Sequence, residues 1–255
     1  MIRTKSPSDI EKLRAGGKHH AEILKKLAEL VAPGVSSDVL DKEAEMLVRE
    51  YGDTPAFLGY RPESAKRPYP ATLCVSVNEV IVHGIPNENP VVLEDGDIVT
   101  LDLGLSHEGM ITDAAVTVAV GKIDAESRKL IGATREALYR GIKAIKPGRH
   151  IGDIGYAIES YVKNTGFFLA EDLAGHGVGY DVHEDPYVPN TGKHGEGPEL
   201  LSGMVIAVEP MLCVGGGKVS FDRDQYTVRT KNRYKSAHFE HTVLVTDKGC
   251  DILTQ

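Results

Sequence analysis

Apolar positions at helical spacing open the chain. Ile10, Leu13, Ile23, Leu27 and Leu30 recur with polar residues between them, which predicts an amphipathic helix. Ser8-Asp9-Ile10-Glu11 reads as its capping box, with Ser8 as N-cap and Glu11 reaching back, and Pro33-Gly34 ends the pattern. A second helix is predicted from about Asp38 to Tyr51, with Val39, Leu40, Leu47 and Val48 inward and Gly52 closing it. A similar pair returns later. Ala125–Ile145 stops at Pro147-Gly148, and a helix from about Ile151 to Asn164 stops at Gly166. With Pro33-Gly34 set over Pro147-Gly148, Glu45 falls on Glu159, Val48 on Val162, Arg49 on Lys163 and Gly52 on Gly166.

The pattern then changes to short β-branched runs, and the correspondence continues. After each helix pair comes a His-Gly, first His83-Gly84 and then His176-Gly177. Each is followed by a strand that ends in an acid: Leu93–Asp102 lies over Leu200–Glu209, so Asp102 meets Glu209. A second acid opens the next strand, with Asp113 over Glu240. Each half thus reads helix, helix, His-Gly loop, strand with acid, strand with acid, over roughly residues 8–121 and 122–250. This predicts an α/β (α+β) fold in one domain spanning residues 1–255. Two duplicated halves would be related by a pseudo-twofold axis, with a curved, mostly antiparallel sheet inside and four main helices on the outer face.

The matched positions are the ones that carry chemistry. One acid beside a strand is commonly a solvent-facing residue or part of a turn. Asp102, Asp113, Glu209 and Glu240 all sit in apolar contexts such as Val-Thr-Leu-Asp-Leu and Ala-Val-Glu-Pro. Four carboxylates buried together would repel and raise one another's pKa. Divalent cations remove that difficulty, and carboxylates with imidazole suit Mn²⁺, Fe²⁺, Co²⁺ or Zn²⁺. Several carboxylates able to bridge point to two ions, roughly 3.5–4 Å apart. Of ten histidines, His176 on its glycine-lined loop is the expected ligand, and His83 and His183 are assigned to proton handling. His19, His20, His107, His150, His194 and His238 are expected at the surface, and His241 on the face of its strand opposite Glu240. Gly175-x-Gly177-x-Gly179 lacks the spacing and context of a dinucleotide loop, and HExxH is absent. Gly215-Gly216-Gly217 reads as a hairpin turn.

Composition narrows the class. A net charge of −8 argues against broad capture of nucleic acid or anionic membrane. No apolar run reaches spanning length, and Met1–Asp9 lacks a signal-peptide core. Three widely spaced cysteines, Cys74, Cys213 and Cys250, without CxxC, suggest reduced thiols in the cytoplasm.

Asn78-Glu79-Val80-Ile81-Val82-His83-Gly84-Ile85-Pro86, the Asp102 and Asp113 strands, Gly175–Glu184, Val208-Glu209-Pro210-Met211 and Phe239-Glu240-His241-Thr242 resemble the type I methionine aminopeptidases, in order and over nearly the whole chain. The resemblance implies the pita-bread fold and a dinuclear centre with five ligands. Asp113 and Glu240 would bridge two divalent ions (Co, Mn, Fe, Zn or Ni), Asp102 would hold one, and His176 with Glu209 the other. It implies removal of the initiator methionine from nascent chains whose second residue is small. Glu209 would be general base and His83 or His183 would assist the oxyanion. It also implies a methionine pocket at Tyr60, Tyr69, Cys74, Val182 and Tyr226, and a monovalent cation (Na or K) at Asn78, Val80 and Ser236. Val182 stands where the family has Phe, Tyr226 where Trp is common, and Arg61–Pro68 is longer than the usual link. These departures bear on specificity more than on hydrolysis. The expected context is a monomer acting on N-terminal peptides near the ribosomal exit tunnel.

Two rival readings are separable. Prolidase or aminopeptidase P shares the fold but usually carries an additional N-terminal domain. A non-catalytic pita-bread relative that binds ribosomes, RNA or histones would be expected to lose ligands and gain basic surface. Here all five ligand positions are kept, and Lys231-Asn232-Arg233-Tyr234-Lys235 reads as a solvated turn.

Overall fold

The computed structural model describes residues 2–62 and 65–255; Glu63 and Ser64, inside the Arg61–Pro68 segment, lie outside the described residues. Helix α1 spans Pro7–Leu30 and α2 spans Ser37–Glu50. The capping box of α1 is Ser6 with Asp9, not Ser8 with Glu11. The Ser6 hydroxyl accepts from the Asp9 N–H, and the Asp9 carboxylate accepts from the Ser6 N–H at 3.0 Å. Pro7 decides the start, because its fixed φ and missing N–H suit the first helical position. In α2, Leu40, Leu47 and Val48 are buried, but Val39 is 46 % exposed. Val39 lies about 100° around the helix from Leu40, on the solvent face. Leu30, in the last turn of α1, is exposed as well.

The second pair, α3 (Ala125–Lys143) and α4 (Ile151–Val162), repeats the first. Arg49 pairs with Glu45 at 2.7 Å, and Lys163 with Glu159 at 2.9 Å, at matched places in the two halves. Gly52 and Gly166, which close α2 and α4, adopt φ of 78° and 83°. That is the left-handed conformation glycine provides after a helix.

Every strand pairing is antiparallel. In the first half β1 (Thr54–Pro55) and β2 (Leu73–Val77) pair with one edge of β4 (Ile98–His107), and β5 (Met110–Ala119) pairs with the other. Strand β3 (Val80–Val82) joins β11 (Val219–Phe221) and β12 (Val228–Thr230) in the order β11-β12-β3. In the second half β6 (Phe168–Leu169), β10 (Met211–Cys213) and β13 (Ser236–His238) form a three-stranded sheet. The larger sheet runs β15 (Gly249–Ile252), β14 (His241–Thr246), β9 (Val205–Val208), β7 (Ala174–Gly177), β8 (Glu184–Pro189). A bridge between Ala115 and Glu240 joins the halves at their middle. Gly215-Gly216-Gly217 is not a hairpin turn, because β10 and β11 on either side of it belong to different sheets. A Cβ at Gly217 would lie 2.1 Å from the Leu169 carbonyl oxygen, so close backbone approach explains that glycine.

Strand parity sets the two faces. Leu101, Leu103, Leu105 and Ala114 pack with Ile23, Leu27, Leu40 and Val48 of α1 and α2. Ile206, Val208, Val243 and Val245 pack with Leu130, Leu138, Ile154 and Ile158 of α3 and α4. Successive strand residues point to opposite faces. Asp102 and Asp113 in the first half, and Glu209 and Glu240 in the second, are out of phase with those apolar sets. They therefore face away from the helices, into the concavity between the halves.

Candidate metal centre

Asp102, Asp113, Glu209 and Glu240 are all buried and line one end of a cavity of 260 Å³, together with His176, His83, His183 and His238. The His176 Nε2 lies 3.4 Å from Glu209 Oε1 and 3.9 Å from Asp113 Oδ2. Ligand-type atoms of Asp113, His176 and Glu240 lie within 4.8 Å of one another, and so do those of Glu209, His238 and Glu240. The two triplets share Glu240.

The metal-free cluster is electrostatically costly. Burial pushes Asp102 and Glu209 up to about 7. Burial together with the neighbouring carboxylates holds Asp113 and Glu240 well above the usual range. Asp102 Oδ1, Asp113 Oδ1 and Glu240 Oε1 are buried without a hydrogen-bond partner among the described residues. Orphaned buried carboxylate oxygens are unfavourable, and among the described residues no Lys or Arg lines this cavity to neutralise them. Divalent cations satisfy both requirements, and a carboxylate–imidazole donor set suits borderline ions.

His176 sits on strand β7 rather than on a loop. The glycines around it answer to packing, since β7 is squeezed between β8 and β9. A Cβ at Gly175 would lie 2.2 Å from the Ala207 carbonyl oxygen, and one at Gly177 2.1 Å from that of Asp185. His176 Nδ1 lies 2.9 Å from the Gly177 carbonyl, which can fix the tautomer and leave Nε2 facing the carboxylates. Gly177→Ala is expected to displace His176 and destabilise the fold by about 1–3 kcal/mol. Thermal denaturation checks the stability, and cobalt titration checks the site.

His83, Tyr60 and His183 stand above the cluster. His83 has φ of 58°, a conformation unfavourable for a non-glycine residue. Burial lowers its pKa to about 4, and the Tyr226 backbone hydrogen-bonds its ring. The Tyr60 hydroxyl lies 2.8 Å from His183 Nδ1. Burial raises the Tyr60 pKa, so the phenol keeps its proton and can donate it to Nδ1, leaving the imidazole proton on Nε2. Although His183 has an exposed outer edge, the cleft walls, and after them His176 and His83, push its pKa down. Its loop is anchored by the buried Lys5–Glu184 pair at 2.9 Å, with Glu184 also accepting from the Asp181 N–H.

The expected pocket residues gather in one apolar cluster: Tyr69, Cys74, Val182 and Tyr226 with Phe57 and Ala71, and Tyr60 against it. The Tyr69 hydroxyl donates to the Gly84 carbonyl at 2.9 Å, and that of Tyr226 to the Arg67 carbonyl at 2.5 Å. Phe57 went unread in the sequence. Its ring lies over Gly104, where a Cβ would come within 2.5 Å of it, so the β4 glycine that pairs across the sheet with Asp113 is what admits an aromatic there. Asn78, Val80 and Ser236 also meet: the Ser236 hydroxyl is 3.0 Å and 3.1 Å from the Asn78 and Val80 carbonyl oxygens.

Several histidines expected at the surface are not there. His20 is fully buried against Thr112 at 2.9 Å, and His238 is buried beside the acids. His19 and His107 flank the buried Asp53 carboxylate at 2.8 Å and 2.6 Å, tying α1 to the end of β4. His194 is exposed, as expected, and bonds Asp153. His241 turns away from the acids toward Thr254, also as expected. The sequence signal missed for His238 is parity: it is two residues from both Ser236 and Glu240 and shares their face.

A buried cluster of acids and imidazoles at the centre of two duplicated halves defines a metallohydrolase scaffold. The sequence model of Metallopeptidase family M24 matches residues 11–247, and the chain belongs to that family. Methionine aminopeptidases are among the proteins it is similar to. The methionine aminopeptidase of Aquifex aeolicus is 44% identical over 256 residues, covering 100% of this chain and 99% of that protein. The crystal structure of the Thermotoga maritima methionine aminopeptidase superposes with a TM-score of 0.95 at 40% identity, covering 100% of both chains. The fold is thereby the pita-bread fold. The prolidase from Pyrococcus furiosus shares it, with a TM-score of 0.75 at 22% identity, but this chain covers only 65% of that one. At that identity the likeness is one of fold alone.

Proposed function

We propose that this protein is a metal-dependent aminopeptidase that removes the initiator methionine from nascent chains whose second residue is small, with residues 1–255 acting as one catalytic unit. The observation that carries this reading is the apolar pocket of Phe57, Tyr60, Tyr69, Cys74, Val182 and Tyr226, opening directly onto the buried acids. An apolar, flexible methionine side chain suits such a pocket, and the acids can receive the cationic amino terminus of a peptide. The relatives named as methionine aminopeptidases support the assignment.

Asp102, Asp113, His176, Glu209 and Glu240 would hold two divalent ions (Co, Mn, Fe, Zn or Ni). Bound there, such ions supply Lewis acidity toward water and the scissile carbonyl. Glu209, buried with one oxygen 3.4 Å from His176 Nε2, would act as general base. His183, held by Tyr60, presents Nε2–H to the carbonyl oxygen of the scissile bond, and His83 flanks the same space. Tyr69, Cys74, Val182 and Tyr226 exclude water around the methionine side chain. Burial keeps the Cys74 thiol protonated and therefore unreactive there. Asn78, Val80 and Ser236 would bind a monovalent cation, Na or K, near the sheet edge. We place the protein in the cytoplasm as a monomer working on chains near the ribosomal exit tunnel. No helix among the described residues is long and apolar enough to cross a membrane, and Cys74, Cys213 and Cys250 are free thiols.

His83→Ala is expected to leave bound metal unchanged and to lower kcat by about a hundredfold or more. Elemental analysis beside steady-state kinetics checks both halves of that statement. A tripeptide panel tests the specificity. Met-Ala-Ser is expected to be cleaved, whereas Met-Lys-Ser, Leu-Ala-Ser and an X-Pro peptide are not. Preferential cleavage of the X-Pro peptide would move the protein to the prolidase side of the fold.

A further inference from the structure

We propose that His238 is a sixth protein ligand of the metal centre, so that the two ions share two imidazoles, His176 and His238, instead of one. This rests on the metal-centre reading above and deepens it.

His238 ends strand β13 and faces the concavity, while its neighbour Ala237 packs into the helix-side core. Its backbone is locked. The His238 N–H donates to Thr117 Oγ1 at 2.9 Å, and its carbonyl lies 2.8 Å from the same hydroxyl. The side chain is 1 % exposed, and neither ring nitrogen has a hydrogen-bond partner among the described residues. An imidazole buried in this way is costly unless something else occupies its lone pair.

Distances name the occupant. His238 Nε2 lies 3.4 Å from Glu209 Oε2 and 3.7 Å from Glu240 Oε2. Those separations exceed the 2.7–3.2 Å usual for an N–H···O bond, so a direct hydrogen bond to either carboxylate does not account for them. Donor atoms each bound at roughly 2.0–2.1 Å to one ion sit about 3.0–3.5 Å apart, by simple triangle geometry. His176 shows the same spacing on the other side, with Nε2 3.4 Å from Glu209 Oε1. Glu209 therefore carries one imidazole against each of its two oxygens. His238 thus forms a ligand-type cluster with Glu209 and Glu240, next to the cluster of Asp113, His176 and Glu240 with which it shares Glu240. Cations there would satisfy Asp102 Oδ1, Asp113 Oδ1, Glu240 Oε1 and His238 Nε2, all of which lack a hydrogen-bond partner among the described residues.

The donor set has a chemical consequence. Imidazole suits Zn, Fe and Ni, whereas an all-oxygen environment suits Mn. The second imidazole biases the centre toward the former ions.

The test counts imidazoles on the metal directly. The protein, stripped and saturated with Co²⁺, is examined by proton NMR for hyperfine-shifted, solvent-exchangeable imidazole N–H resonances, assigned with ¹⁵N-histidine. Two such resonances are expected. His238→Gln is expected to keep the circular dichroism of the parent, lose one of the two, and weaken Zn²⁺ relative to Mn²⁺ by roughly tenfold. Co²⁺ bound with a single imidazole resonance, or a His238→Gln spectrum that retains both, overturns the sixth ligand and leaves the metal-centre reading standing. Elemental analysis that finds no cobalt on the parent protein overturns both. The count on the parent stands by itself if His238→Gln fails to fold.

Discussion

Replacing Glu240 with alanine is expected to strip the protein of one or both divalent ions and to lower turnover by on the order of a thousandfold or more. Glu240 belongs to both ligand triplets, so its loss removes a donor from each. Lewis-acid stabilisation is worth several kcal/mol, and about 4 kcal/mol corresponds to roughly a thousandfold in rate. The loss should not come through unfolding. In the metal-free protein Glu240 is crowded by Asp113, Glu209 and Asp102, and its removal relieves that repulsion. The metal-free variant is therefore expected to melt no lower than the metal-free parent. Elemental analysis, kinetics and thermal denaturation together check the claim. Unchanged metal content would contradict the assignment of Glu240 as a ligand.

Metal affinity is expected to climb steeply as pH rises through neutrality. Without ions Asp102 and Glu209 hold protons up to about 7, mainly because they are buried. A carboxyl with a raised pKa favours the metal-free fold below that pKa, and this contribution is lost as pH rises through it. Ions bind the ionised form, so below neutrality binding must expel those protons. The imidazoles shift the other way. His83 and His238, lowered to about 4, are already neutral above that value and do not compete with the ions in the same window. Two carboxyls releasing protons together raise the apparent affinity on the order of several hundredfold between about pH 5.5 and about pH 7.5. Calorimetric titration with Mn²⁺ across that range measures it, and release of protons into buffers of different ionisation enthalpy counts them. A flat affinity would mean that the acids are ionised before any metal arrives.

The helices and the four acids were legible in the sequence because each follows from a period. Leu13, Ile23 and Leu27 mark the buried stripe of α1. Asp102 falls between Leu101 and Leu103, so period two puts it opposite the core. Pairing of the acids across the duplicated halves followed from the same alignment that matched Glu45 with Glu159. What escaped depends on competition or on distance. Ser6 and Ser8 are both good caps, and Pro7 decides between them through its backbone. Val39 looks like a core residue by type but lies on the solvent side of α2. The glycines beside His176 resembled a loop because the carbonyls they accommodate, from Ala207 and Asp185, are remote in sequence. His238 and Phe57 acquire their meaning only from partners on other strands. A single histidine carries no period, and the parity with Ser236 and Glu240 becomes readable once those two are already placed.

The most direct test of the central claim is hydrolysis of Met-Ala-Ser by the metal-stripped protein, before and after Mn²⁺, Co²⁺ or Fe²⁺ is restored. No release of methionine is expected from the stripped protein, and release by the reloaded one, with two ions bound per chain by elemental analysis. Cleavage that persists in the stripped protein, or two bound ions with no cleavage, would contradict the account.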